Sequence, residues 1–504
     1  MNNILSVDLG TTALKIILFR HNGTVFAKST QEYSLLTPTT LAVELPVEIY
    51  WNAFKKGIEE VMTKSGADPS SIKALGISAQ GETLITLGED GQPLMNAIVW
   101  LDNRAQEEAD ILAREFGNDK AYHITGQVSI VPTWPAAKIF WIRRSLPDLF
   151  KKAAKFVLIE DYFIHRMTGS LVCEGSLICS TVYWDIIKKQ WWPEMLHYLK
   201  ISEGQLPELR ESGEPVASLK PDVAKELGLS ADTIVCTGAL DQACGAIGVG
   251  NIYPGVVSEN TGAALAICAT VERPVFDPNQ QMPCHYHGIP NTYMAHTFTT
   301  GGMALKWYRD QFCDSEIQVA ARAGMDNYDL LSNEAAQIPP GCDGLVMLPH
   351  LQGAMAPEAN PQAKGVFYGF TLHHTKPHFI RSIMEAIACA IRRNVNVLED
   401  LGIEVKEIRS LGGGSRSELW SQIKCDLIQR PVRTMENEEA ACLGAAMLAG
   451  VATGMFSNLP EAVQKLVVLK RRFDPNPDHF AVYTSVYNRY VDLYNSLVPL
   501  FERG

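Results

Sequence analysis

Apolar and polar positions fall into blocks along the chain, and the first block sets the plan. Residues 4–19 read ILSVDLGTTALKIILF, an apolar arm, a short polar turn and a second apolar arm. The arms at 4–7 and 14–19 predict β-strands, joined by the turn Asp8, Leu9, Gly10, Thr11, Thr12. Asn22-Gly23 marks a further turn before a strand at 24–27. A helix is predicted over Val47–Ser65, with Ile49, Ala53, Ile58, Val61 and Met62 on its apolar side. A strand at 74–78 follows.

Later blocks repeat this pattern. A buried strand at 233–237 runs through Gly238, Ala239 and Leu240 into Asp241, Gln242 and a helix of small residues at 243–248. Residues 256–267, VVSENTGAALAI, again read arm, polar turn, arm. A glycine turn at 299–302 opens a helix, 377–401 is strongly amphipathic, and three glycines at 412–414 lead into a helix near Glu418. Residues 438–454 predict a helix rich in Ala and Gly, whose small residues allow close backbone approach. The last helix carries Tyr483, Tyr487, Tyr490 and Tyr494 on one side as packing. Three strands, a helix and a strand make the opening of a ribonuclease-H-like unit. Its echo implies a duplicated α/β fold with domains at 1–248 and 249–504 and a cleft between them.

Composition narrows the class. At 504 residues, 46% hydrophobic and 20% charged, the chain has material for two cores. A net charge of −12 argues against a general nucleic-acid or anionic-membrane binder. No signal peptide and no apolar run long enough to span a bilayer is expected. Eleven cysteines, scattered and never in a CxxC, predict free buried thiols in a reducing cytoplasm.

The chemistry-bearing residues sit at the turns. In the first turn Gly10 admits a close ligand, Thr11 and Thr12 offer hydroxyls, and Lys15 adds charge. Asp8 is out of place beside phosphates unless a cation lies between, which suggests a phosphate grip with Mg²⁺ held through Asp8. An ordinary hairpin with a polar tip is the competing reading. Gln80 and Glu82 stand at a strand end, where ligands collect in open α/β sheets. Trp100 is either core or a platform for a sugar face, and Asp102 and Arg104 are site residues or helix caps. Trp134 lies in a rigid aromatic loop before a helix starting near Ala136. Asp241 is either a base aimed at a cleft or a helix cap. Gly301 and Gly302 suit phosphate at a helix N-terminus. Cys284, His285 and His287 are metal-ligand types, but without a clear third partner they read as structural.

Taken together, the chain resembles the FGGY family of carbohydrate kinases, within the actin/Hsp70/sugar-kinase superfamily, nearly end to end. The most specific part is GVFYGF at 365–370, then seven residues, then HFIRSIME at 378–385, with Phe370 where an aliphatic residue is usual. VDLGTT resembles the first phosphate motif, SENTGAA the second and GGGSRSELW the adenosine motif. The resemblance implies Asp241 as general base, with Asp8 and Asp241 placing Mg²⁺. It implies ATP contacts from Gly10, Thr11, Thr12, Lys15, Thr261, Gly262, Gly302, Lys306, Gly413, Gly414 and Glu418. Gln80, Glu82, Trp100, Asp102, Trp134 and Gln242 would line the sugar pocket. The layout is most similar to xylulokinases, which makes a ketopentose the expected substrate. Gly81-Glu82 and Asp241-Gln242 depart from the xylulokinase pattern toward glycerol kinases, so gluconate or glycerol is the alternative. A non-catalytic nucleotide switch is the alternative from another class. The expected partner is a small sugar, with neither nucleic acid nor membrane, and a homodimer is an assembly the family allows.

Overall fold

Strand β1 (Asn3–Leu9) lies at the centre of a mixed sheet in the computed structural model, which describes residues 2–503. It pairs antiparallel with β2 (Ala13–Arg20), and β2 pairs antiparallel with β3 (Val25–Glu32). Helix α1 (Val47–Ser65) then packs on these strands and ends at Gly66, whose φ of 59° suits a residue without Cβ. Its buried stripe is Tyr50, Trp51, Phe54, Ile58 and Val61, whereas Ile49 is 38% exposed. The aromatic side chains take the sheet-facing positions and turn the expected Ile49 outward. Strand β4 (Ile72–Ala79) returns parallel to β1. Helix α2 (Pro135–Ser145) and helix α3 (Ile159–Thr168) follow, then β5 (Pro215–Ser218), β6 (Ile234–Cys236) and the two-residue β7 (Ala239–Leu240). The sheet order is β5-β6-β4-β1-β2-β3, with β7 also on β4. Helix α4 (Asp241–Gly248) starts directly from β7.

The second sheet uses the same order. Strands β8 (Gly255–Thr261) and β9 (Ala264–Val271) form the second hairpin, and β10 (Tyr293–Thr300) borders β9. Helix α5 (Met303–Phe312) and the amphipathic α6 (Lys376–Asp400) come next. Then β11 (Val405–Leu411) runs parallel to β8, helix α7 (Glu418–Ile428) follows, and β12 (Val432–Met435) runs parallel to β11. The order β10-β9-β8-β11-β12 matches β3-β2-β1-β4-β6, so the expected duplication is present in the sheet topology.

The chain divides into two units, and the division is not one cut. Residues 271–294 and 439–467 join the first unit, while 253–270, 295–438 and 468–503 form the second. The 439–467 segment holds helix α8 (Ala440–Ala452), the small-residue helix, after which come β13 (Leu469–Phe473) and α9 (Phe480–Phe501) of the second unit. Glycines let α8 lie against α4 and β4 at backbone distance. A Cβ on Gly444 would stand 1.9 Å from the Cys244 carbonyl oxygen, and one on Gly248 1.9 Å from that of Ala440. A Cβ on Gly76 would stand 2.3 Å from the Ala445 oxygen. Ser6 Oγ also donates to the Cys442 carbonyl at 2.7 Å. The eleven cysteines are all buried, and among the described residues none forms a disulfide, as their scattered spacing predicts. No helix among the described residues is long and apolar enough to cross a membrane.

Because α8 touches α4 through glycine, Gly444→Ala is expected to cost about 1–3 kcal/mol of stability, the usual price of overpacking. It is also expected to lower turnover, since α4 begins with Asp241. Urea unfolding and kcat on the same sample check this; an unchanged midpoint refutes it.

Candidate functional site

The first unit gathers three carboxylates at one end of its sheet. In the ladder Asp8 faces Ser78 of β4, and Ser78 faces Ala239 of β7. Asp8 and β7 therefore flank the same residue, and Asp241 lies two positions beyond. Asp8 is the penultimate residue of strand β1, opposite Lys15, rather than in the turn itself. Its carboxylate accepts from Ser78 Oγ at 2.8 Å. Burial holds its pKa above the ordinary carboxylate value, against the pull of the Ser78 hydroxyl and Lys15. Asp241 is the first residue of α4, not its cap, which is Leu240. Its Oδ1 accepts the Gln242 N–H at 2.7 Å. Burial, then the neighbouring Asp8, push its pKa up to about 7; Glu82 adds to the rise and the Gln242 N–H opposes it. A carboxylate half ionised near neutrality is suited to accepting a proton.

Glu82 completes the group. It adopts a φ of 57°, a strained setting for a residue with a side chain. Burial raises its pKa, with a Ser180 hydrogen bond and the charge of Lys138 pulling the other way. Lys138 was not foreseen, although a single lysine inside the apolar run PAAKIF was the available signal. It is fully buried and donates to the carbonyls of Glu82 at 2.9 Å and Val99 at 3.1 Å. Burial pushes its pKa down to about 7, against the charges of Glu82 and Asp102.

The first turn is braced from several sides. Tyr33 donates its hydroxyl to the Gly10 carbonyl at 2.5 Å, and Gln80 Nε2 donates to the same oxygen at 3.2 Å. Gln80 Oε1 is buried without a partner, the one group of that side chain left to meet a ligand. Trp100 Nε1 donates to Thr11 Oγ1 at 2.8 Å, so indole and hydroxyl face one another. The Trp100 N–H reaches Thr83 Oγ1 at 3.3 Å. Thr12 is exposed at the tip, and Gln242 is half-buried beside Asp241.

Other expected site residues are engaged elsewhere. Lys15 pairs with Glu439 at 2.9 Å, and Lys28 approaches the same carboxylate at 3.5 Å. Asp102 is fully buried; it accepts the Val43 N–H at 2.6 Å and grips Arg104 through both oxygens. That makes it a loop brace with no lone pair turned to a sugar. Trp134 caps α2 and donates Nε1 to the Ser129 carbonyl at 2.8 Å.

In the second unit the hairpin tip Gly262, Ala263 and Ala264 is open to solvent at Ala263 and Ala264. The Gly302 N–H donates to the Gly262 carbonyl at 2.8 Å, which seats the start of α5 on that tip. Thr261 is buried and its hydroxyl is committed. It donates to Glu259 Oε2 at 2.6 Å and accepts from Lys424 Nζ at 2.9 Å, while Lys424 and Glu259 form a fully buried pair at 2.7 Å. The triple-glycine loop rests on the same hairpin, since a Cβ on Gly412 would lie 2.4 Å from Asn260 Oδ1 and one on Gly414 2.7 Å from Thr261 Cβ. Gly413 is exposed with open space above it. Lys306 pairs with Asp310, and Glu418 pairs with Arg471, both at the surface.

Among the described residues one group of three metal-ligand types gathers, at Asp343, His373 and His378. Both imidazoles direct Nε2 at Asp343 Oδ2, each at 3.2 Å. The Thr375 N–H donates to His378 Nδ1 at 3.1 Å in a capping box, so the proton of neutral His378 sits on Nε2. That leaves no Nε2 lone pair for a metal. Cys284, His285 and His287 are buried, and burial holds His287 neutral by pushing its pKa down to about 3.

The sign of the Asp241 shift gives a prediction. An acid whose folded pKa is raised contributes stability at low pH that is lost as pH rises from about 4, its unfolded value, through about 7. Asp241→Asn is therefore expected to raise Tm relative to the parent at pH 8 and to change it little at pH 4. Calorimetry at the two pH values decides; a Tm lowered equally at both would make Asp241 a helix-stabilising group.

Comparison with known proteins agrees with this architecture. Residues 3–248 match the FGGY family of carbohydrate kinases, N-terminal domain, and 263–453 match its C-terminal domain. A xylulose kinase of Bacillus subtilis is 30% identical over 98% of this chain and 97% of its own. A gluconokinase of the same organism is 30% identical over 97% of this chain and 95% of its own. The solved xylulose kinase of Lactobacillus acidophilus superposes with a TM-score of 0.91 at 27% identity, covering 100% of both chains. The two-domain fold, the duplicated hairpins and these matches together place the chain in the FGGY family of carbohydrate kinases.

Proposed function

We propose that the protein transfers the γ-phosphoryl group of ATP to a hydroxyl of a neutral ketopentose such as xylulose, with Asp241 as general base. The observation that carries the reading is the Asp241 carboxylate, with a pKa near 7, at the sheet end it shares with Asp8. As the sugar oxygen attacks phosphorus, Asp241 accepts its proton, and ADP leaves with the former γ-phosphate now an ester. Phosphoryl transfer asks mainly for positioning and charge neutralisation. Paired oxygen donors from Asp8 and Asp241 fit a hard cation, and Mg²⁺ bound there would offset phosphate charge. Gln80 Oε1, Glu82, Trp100 through its ring face, and Gln242 form the proposed sugar-facing set; Asp102 is left out because its oxygens are already engaged by Val43 and Arg104. In the second unit Gly262, Gly302 and Gly413 form the proposed nucleotide-facing set, through backbone groups and open surface. Thr261 serves as a buried support of that hairpin. An ATP-dependent reaction of this kind belongs to the cytoplasm.

Charge separates the ketopentose from gluconate, which the two Bacillus relatives leave equally placed. Three carboxylates meet at the site, and the cations beside them are committed: Lys138 to two carbonyls, Arg104 to Asp102 and to Glu44 at 2.7 Å. A sugar acid would add a negative charge beside Glu82, where Lys138 and Arg104 are already engaged. A neutral polyhydroxy chain instead offers hydroxyl donors to oxygen acceptors.

A coupled assay for ADP release over xylulose, other ketopentoses, glycerol and gluconate tests this. Ketopentoses are expected to give the highest kcat/KM; a higher value for gluconate, or ADP release independent of sugar, overturns the reading. Asp241→Asn is expected to lower kcat by about 10²–10⁴-fold. Glu82→Gln is expected to improve gluconate relative to xylulose by about ten-fold, the order of one charge removed a few ångströms away.

A further inference from the structure

Asp241 stands on a slender support. The strand before it has two residues, paired to β4 only at Ala239 and Leu240. Gly238 is pressed against β4 so closely that a Cβ would lie 1.7 Å from the Ile77 oxygen. Two N–H groups of this segment are held by side chains. The Gly238 N–H donates to Glu160 Oε1 at 2.7 Å. The Leu240 N–H donates to Ser176 Oγ at 2.9 Å, and Ser176 Oγ donates onward to Glu174 Oε1 at 2.8 Å.

Glu174 is the hub of that second path. It also accepts the N–H groups of Ser176 at 2.7 Å and Leu177 at 2.8 Å, and the Ser212 hydroxyl at 2.5 Å. With four donors converging on it, the Ser176 hydroxyl hydrogen is fixed toward Glu174. The remaining lone pair of Ser176 must then face Leu240. Glu160, Asp161 and Glu174 are at most 1% exposed. Glu160 Oε2 and Asp161 Oδ1 have no hydrogen-bond partner. Burial raises the pKa of all three, and no lysine or arginine bonds to any of them. Helix ends elsewhere in this chain use cheaper surface caps: Ser417, Asp326 and Asn458. Unpaired carboxyl groups in a dry interior are costly and collect at functional sites.

We infer that Glu174, acting through Ser176, and Glu160 are positioning residues that fix the backbone entering Asp241 and so hold its carboxylate in line with the acceptor hydroxyl. The inference rests on Asp241 being the base. It differs from a purely structural role in one respect: the effect of losing the support passes through Asp241. An ångström of misplacement at a catalytic group costs up to about 10²-fold in rate.

The test compares Ser176→Ala, which deletes one oxygen, with Ser212→Ala, which removes a Glu174 partner that does not reach Leu240. Each is made in the parent and in Asp241→Asn, and kcat, KM for ATP and Tm are measured with the best sugar of the panel. Ser176→Ala is expected to lower kcat by about ten-fold or more in the parent with KM for ATP within two-fold. Its effect should shrink to less than about two-fold in Asp241→Asn, where the base is already gone. Ser212→Ala is expected to lower Tm while leaving kcat nearly unchanged. A Ser176→Ala enzyme with parental kcat, or a loss of equal size in both backgrounds, overturns the inference. Glu174→Gln is the second variant; should it fail to fold, the single-oxygen change still decides. If Asp241→Asn alone keeps parental turnover, it is the general-base assignment that fails, and that result is separate from the comparison of backgrounds.

Discussion

Burial of carboxylates brought to one sheet end, with charge repulsion added at Asp241, is the constraint around which the first unit is built. Asp8, Glu82 and Asp241 each sit at a strand end or just beyond it, and each has its pKa raised. A protein assembled for stability alone would separate these groups or supply a free cation. Here the nearby cations are tied to backbone carbonyls and to other acids, so the arrangement is strained. The rigid parts of the unit resist that strain: the ladder from β1 through β4 to β7, the Tyr33 and Gln80 braces on Gly10, and the glycine contacts of α8 on α4.

The second unit solves a different problem with the same sheet order. Its hairpin carries no exposed acid at the tip. The charge lies inside, in the Glu259–Lys424 pair, and removing one partner of such a pair typically costs about 3–5 kcal/mol. Small residues then cover the surface: Gly262, Ala263, Gly302 and Gly413 leave backbone groups and room for a flat or anionic ligand. One unit thus gathers acids at a sheet end and the other presents shape.

Much of this was legible in the sequence because it depends on local pattern. Helix α1 falls at Val47–Ser65 as its periodicity predicts, and both hairpins lie where apolar arms flank a polar turn of Gly and Thr, Gly10-Thr11 in the first and Thr261-Gly262 in the second. What escaped depends on contacts between distant residues. Lys15 finds Glu439 across 424 positions, and Thr261 finds Lys424 across 163. Nothing at the turns themselves shows that these side chains are already paired. Asp102 reads as a polar site residue, yet Val43 and Arg104 fill its lone pairs. Glu160 and Ser176 escaped for the same reason, since Glu160 holds the Gly238 N–H 78 residues downstream and Ser176 Oγ the Leu240 N–H 64 residues downstream.

Helix α8 also bears on how the molecule is made. The face of α4 that ends in Gly248 has its partner at Ala440, far downstream in the chain. A ribosome adding roughly 5–20 residues per second emits the intervening stretch in about 10–40 s. During that interval the first unit has its sheet but lacks the helix that backs the Asp241 segment. The nascent chain therefore carries an uncovered seam of small residues until Ala440–Ala452 emerges, and the Asp241 segment gains its backing helix only then.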